Sequence, residues 1–197
     1  MDEELQRTVI SVVGMGGLGK TTLVANTFNK QVVKQHFDCC AWITVSQQYV
    51  VTDLFKSIVK DINDKAKVKF DVVDSMSYRD LVGELVDLLE PKRYFIVIDD
   101  VWSTNLWQDI SLALPANKNG SRILLTTRKE DVASFEFGVV KHIFPLKHLP
   151  FDESMVRFSR KAFVGKGGKY PPYLESSAAK LFVKCQGLPL AIVALGF

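Results

Sequence analysis

The sequence predicts an α/β fold with a five-stranded, mainly parallel sheet flanked by helices. Three observations predict it. Short apolar runs alternate with stripes of helical period along the first three quarters of the chain. Those runs are continuously apolar, as strands buried on both faces are. The first run breaks into four glycines within Gly14–Gly19 before a helical pattern begins. Glycine costs conformational entropy on folding, so that density needs a reason.

Taken in order, Thr8–Val13 is β-branched and reads as a buried strand. From Lys20 the period becomes helical, with Val24, Phe28 and Val32 on one face. Ala41–Val45 is the second strand, and Leu54, Phe55, Ile58, Val59 and Ile62 form the next helical stripe. Ser77 and Asp80 make a capping box before Leu81, Val82, Leu85, Val86 and Leu89, and Pro91 stops that helix. Tyr94–Ile98, Arg122–Thr126 and Val139–Phe144 complete the strands. After Pro145 only helices are expected: Met155–Phe163, Leu174–Cys185 and one running from Pro189 to Phe197. This places a sheet domain over residues 1–147 and the start of a small helical unit over 148–197.

Composition excludes several classes. The 197 residues are 47% hydrophobic and carry a net charge of +3, too little to imply nucleic acid. No apolar run reaches the length of a membrane span, and the acidic start "MDEELQRT" is no signal peptide. Cys39, Cys40 and Cys185 have no CxxC spacing, and His36, His142 and His148 have no metal-ligand spacing. Reduced thiols in a cytoplasmic protein are expected.

The glycine stretch matches G-x-x-x-x-G-K-[ST], a P-loop, between a predicted strand and a predicted helix. Backbone N–H groups of Gly14, Met15, Gly16, Gly17, Leu18 and Gly19, with the helix start at Thr22, can cradle phosphate oxygens. Lys20 can reach the β- and γ-phosphates, and the Thr21 hydroxyl can ligate Mg²⁺. "RYFIVIDDVW" puts Asp99 and Asp100 beyond a strand that ends at Ile98. Ligands bind at that edge of open α/β sheets. Asp99 is the second Mg²⁺ candidate, and Asp100 the candidate for orienting the attacking water. "GSRILLTTR" ends in Arg128, whose planar fork suits a terminal phosphate. In "CQGLPLAI", Gly187 suits a helix C′ position and Pro189 a first turn, so structural punctuation accounts for that block.

These blocks, with "FDCCAWITVSQQY" at Phe37–Tyr49, resemble the NB-ARC nucleotide-binding domain of plant NLR disease-resistance proteins over essentially the whole chain. Trp102 after the two aspartates looks like the coiled-coil rather than the TIR class. The resemblance implies a P-loop NTPase followed by an ARC1-like helical subdomain. It implies an ATP/ADP-binding switch of an intracellular plant immune receptor, with Mg²⁺, resting with ADP and activated by exchange. It implies that Arg128 senses the terminal phosphate and that Pro189 lines the adenine or ribose side. It further implies partners in the receptor's own coiled-coil, winged-helix and leucine-rich regions and in other protomers. The chain then reads as a fragment without the upstream adenine-side segment, the winged helix and the leucine-rich region. Met155, Val156 and Arg157 stand where the family usually has an aromatic and a leucine. The alternative is a P-loop ATPase that turns over. Asp100 stands where motors of this architecture carry glutamate, so at most a weak Mg-dependent ATPase is expected.

Overall fold

The computed structural model describes residues 5–63, 70–162 and 183–195. The expected helix over 174–185 is therefore seen only at Val183–Cys185, and Phe163, Gly196 and Phe197 also lie outside the described residues. The chain divides into two compact units: Met1–Val13 with Thr21–Pro145, and Gly14–Lys20 with Leu146–Phe197.

The first unit carries the sheet. Its strands are β1 (Thr8–Val13), β2 (Cys39–Thr44), β3 (Tyr94–Val101), β4 (Arg122–Thr127) and β5 (Val140–Pro145). All pairs are parallel, in the order β2-β3-β4-β1-β5. β1, β3 and β4 are buried along nearly their whole length, as their continuous apolar runs require. β2 alternates instead, and β5 lies at the other edge with His142, Ile143 and Phe144 exposed. β5 is thus less buried than the strands inside the sheet and than the opposite edge strand.

Helices α3 (Val51–Asn63), α4 (Phe70–Ser75), α5 (Tyr78–Leu89), α6 (Asn105–Ile110) and α7 (Glu130–Ala133) belong to the same unit. α3 buries Leu54, Phe55, Ile58, Val59 and Ile62, the stripe read from the sequence. Ser77 and Asp80 close the capping box at α5 reciprocally, and Leu81, Leu85 and Leu89 go into the core. These side chains form one apolar cluster with Ile96, Ile98, Ile123 and Leu125 of the sheet. Tyr94 stands fully buried in it, its hydroxyl donating to Pro115 O at 2.7 Å, and burial pushes that hydroxyl up to about 12.

Several boundaries differ from the sequence reading: β2 begins at Cys39 rather than Ala41, the helix expected from Met155 begins at Phe151, and two further differences change what is packed or exposed. α1 (Lys20–Phe28) stops at Phe28, and α2 (Gln31–His36) starts afresh after Lys30, which is extended (φ −65°, ψ 130°). Val32 consequently leaves the apolar stripe and is 70% exposed, while Phe28 packs on Trp42 and Phe95. β3 continues through Asp99 and Asp100 to Val101 rather than ending at Ile98.

In the second unit, α8 (Phe151–Ala162) and α9 (Pro189–Leu195) bring Met155, Phe158 and Leu149 against Cys185 and Ile192. Met155 thus fills a core position that the family resemblance leads one to expect as aromatic or leucine. Cys39 and Cys185 are buried, and Cys40 is partly exposed. Among the described residues no helix is long and apolar enough to cross a membrane.

Candidate nucleotide site

Gly14, Gly17 and Gly19 have φ of +157°, +82° and +92°, conformations that L side chains rarely adopt. A Cβ at Gly14 would stand 2.9 Å from Leu18 Cδ1 and 3.1 Å from Leu146 O, so glycine is needed there for space as well. At Gly19 nothing described lies within 4 Å of where a Cβ would be, which leaves that main chain approachable. Lys20 is buried, and its ammonium donates to Gly14 O at 2.7 Å and Met15 O at 3.1 Å. The lysine thus closes the loop on itself. Met15 is 53% exposed and Thr22 is exposed at the first turn of α1, so neither contributes to the core.

The "GLPL" segment reaches the same loop. Gln186 and Gly187 have φ of 49° and 71°, which ends the helical turn at Cys185, and Pro189 opens α9. Leu190 N–H donates to Gly17 O at 3.2 Å, and a Cβ on Gly17 would meet Leu190 Cβ at 3.0 Å and Leu188 at 3.4 Å. Leu149 N–H donates to Gly187 O at 2.8 Å. Punctuation alone therefore does not account for this motif: its backbone also holds the P-loop. The sequence hid this because the bond uses main-chain groups, which every residue carries.

In the sheet unit, Val13, Thr127 and Val101 fall in one register row at the carboxyl ends of β1, β4 and β3. The β3–β4 register shifts between Ile98, opposite Leu125, and Val101, opposite Thr127, so β3 carries one extra residue. Asp100 takes up that residue with φ 59°, and its N–H goes to the Thr126 hydroxyl at 2.9 Å. Bulges of this kind re-aim side chains beside functional sites.

The bulge gives the two aspartates different surroundings. Asp99 is buried, and Thr126 Oγ1 donates to its Oδ1 at 2.7 Å. The Thr21 hydroxyl donates to the same carboxylate at 2.9 and 3.1 Å. Asp100 instead faces Arg128, with Oδ1 3.5 Å from Nε. The Arg128 guanidinium lies 5.1 Å from the centroid of the Trp102 ring. Thr127 Oγ1 donates to Val101 O at 2.7 Å and accepts Lys129 N–H at 3.1 Å, which steadies the chain on either side of Arg128. Tyr49 ends the resembling block at Phe37–Tyr49. Burial, helped by its 2.7 Å hydrogen bond to Asp109, pushes its hydroxyl up to about 12.

The NB-ARC domain family matches residues 1–167. This chain belongs to that family. It is 46% identical to disease resistance protein RPM1 of Arabidopsis thaliana over the whole of its own length, and 36% identical to disease resistance protein RPP13 of the same plant over 98%. It covers 21% and 23% of those two proteins, about a fifth of each. Among solved structures it resembles the Aeropyrum pernix ORC2 protein, solved as ADPNP–ADP complexes. The TM-score is 0.67 at 16% identity, covering 96% of this chain and 55% of that one. It also resembles a signal transduction ATPase with numerous domains and a tetratricopeptide-repeat sensor from Pyrococcus horikoshii. There the TM-score is 0.60 at 18% identity, covering 94% and 26%. At such identities the likeness establishes the P-loop fold alone.

An NB-ARC domain binds nucleotide, and the residues present fit one. The glycine loop offers approachable main chain at Gly19, and Lys20 holds a charge against loop carbonyls that an anion can relieve. Thr21 and Asp99 converge as hard oxygen donors, the kind Mg²⁺ prefers. Two contributors escape a reading of the sequence. Thr126 holds both aspartates, and its only signal is a hydroxyl at the buried end of a strand, beside that of Thr127. Trp102 stands out in the sequence only as a marker of class.

Proposed function

We propose that this NB-ARC domain is the ATP/ADP switch of a cytoplasmic plant immune receptor, with residues 1–147 as its nucleotide-binding part and 148–197 as the start of its ARC1-like part. One observation carries the reading: the Leu190 N–H bond to Gly17 O joins the P-loop to the helical unit that follows the sheet. A loop that reshapes around phosphate then acts on a helix rather than on solvent, as a switch requires.

In this reading the backbone of Gly14–Gly19 and the Thr22 helix turn bind the phosphates, and Lys20 turns from its loop carbonyls toward them. Thr21 and Asp99 hold Mg²⁺. Arg128 meets the terminal phosphate, and Pro189 borders the adenine or ribose. Bound nucleotide would supply the negative charge that the N–H groups, Lys20 and Arg128 answer, and Mg²⁺ would offset part of that charge. The receptor's coiled-coil, winged-helix and leucine-rich regions and other protomers would read the outcome. Turnover is slow, because occupancy is what a switch needs.

The test is to purify the chain, denature it and identify the released nucleotide by chromatography, then titrate ATP and ADP by calorimetry. Retained ADP and saturable binding of both are expected. A chain that retains nothing and binds neither sinks the reading. Single turnover with Mg²⁺-ATP near the enzyme median of about 10 per second would favour a turnover ATPase instead.

A further inference from the structure

Arg128 is held by two groups of different chemistry. Asp100 Oδ1 lies 3.5 Å from its Nε, and the Trp102 ring lies under its guanidinium with Cζ 5.1 Å from the centroid. The carboxylate is a competitor: it offers the same paired oxygens that a phosphate would. The ring is not, because it binds the cation through its face and leaves the N–H edge available. Both holds are weak. The Arg128 side chain is 51% exposed and that of Asp100 31%, and an ion pair that wet is readily exchanged.

Asp100 keeps its place at a cost. It is one of two non-glycine residues with positive φ among those described, and the bulge and the Thr126 bond fix it there. Such strain persists only where the surroundings impose it, and it favours a reading in which the position of this carboxylate matters. Three residues thus converge on one cation: a fixed carboxylate, a ring and a strand end.

We propose that Asp100 and Trp102 form an exchangeable seat for Arg128, which sets the preference for ATP over ADP. Asp100 is the internal counter-ion that a terminal phosphate must displace, and Trp102 is the positioning residue that keeps the guanidinium in plane while the exchange occurs. The inference rests on the switch reading above and adds to it a specificity role for both residues. Arg128 holds the Asp100 carboxylate until the exchange, and the exchange releases that carboxylate for the water-orienting part.

The two seat residues should act with opposite signs. Asp100→Asn keeps shape and tolerates the left-handed backbone but drops the charge. It should raise the ATP-to-ADP affinity ratio about two- to fivefold, the strength of a wet ion pair. Trp102→Leu should lower the ratio about threefold, the strength of a partly exposed cation–π contact, and Trp102→Phe should recover part of the loss. In an Arg128→Ala background neither substitution should change the ratio further, which a role independent of Arg128 would not predict. Calorimetry on the full chain measures all of these, with thermal melting to confirm folding. Equal shifts in the presence and absence of Arg128, or shifts of the same sign, overturn the proposal.

A second readout needs no nucleotide. The indole N–H resonance of Trp102, assigned with Trp102→Phe, should move in Arg128→Ala and in Asp100→Asn. A resonance unmoved by Arg128→Ala overturns the seat. If the unmodified chain binds neither nucleotide, the switch reading fails, and this resonance still decides whether the seat exists.

Discussion

The P-loop and the carboxyl end of β3, the two regions assigned to phosphate in the proposed switch, are held by opposite means. The loop is held mostly by main chain: positive-φ glycines and Leu190 N–H on Gly17 O, with the Lys20 ammonium added on the carbonyls of Gly14 and Met15. The strand end is held by side chains: Thr21 and Thr126 on Asp99, Asp100 and Trp102 on Arg128. A main-chain scaffold is sensitive to the presence of a Cβ and indifferent to most side-chain chemistry. A side-chain scaffold has the reverse sensitivity.

Substitutions at four positions test that contrast, the largest effect first. Gly187→Ala should destabilise the helical unit by about 3 kcal/mol or more, combining a left-handed φ with steric overlap. Its Cβ would collide with Leu149 O, a backbone atom that cannot swing away. Urea denaturation measures the loss, and a change under about 1 kcal/mol would break the main-chain account. Lys20→Ala should weaken nucleotide binding on the order of 100-fold, as losing a charge-assisted donor does. The chain should stay folded by circular dichroism, and undiminished ADP binding would remove Lys20 from the site.

Thr126→Val should cost about 2 kcal/mol, because it strips the donor from buried Asp99 and leaves the Asp100 N–H without its hydroxyl acceptor. Thr126→Ser should restore most of it, since the hydroxyl carries the effect. If valine is as good as serine, the side-chain account is wrong. Met15→Ala should change stability by no more than about 0.5 kcal/mol and leave nucleotide affinity alone, because an exposed side chain on a main-chain scaffold supports nothing.

The same division separates what the sequence disclosed from what it hid. Strands β1, β3 and β4 were legible because burial on both faces writes a continuous apolar run. The P-loop was legible because positive φ writes glycine, and the α5 capping box because its two partners sit three residues apart. The break after Phe28 was not, since Val32 keeps the helical period although nothing buries it. α6 had too short an apolar pattern, Leu106, Trp107 and Ile110, to be separated from a loop. The clip from Leu190 to Gly17 and the turn of Asp100 toward Arg128 are tertiary, and no local pattern encodes them.

The extra residue in β3 carries a consequence about counting. Three steps along β3 answer two along β4, so Val101 stands opposite Thr127 although one residue more precedes it. Dropping a residue between Ile98 and Val101 would leave that later pairing intact, because the remaining residues would then match one to one. What would vanish is the bulge itself, and with it the left-handed turn that sends Asp100 toward Arg128 while Asp99 stays with Thr21 and Thr126. The number of residues here, and not only their identity, is therefore what gives two neighbouring carboxylates different partners.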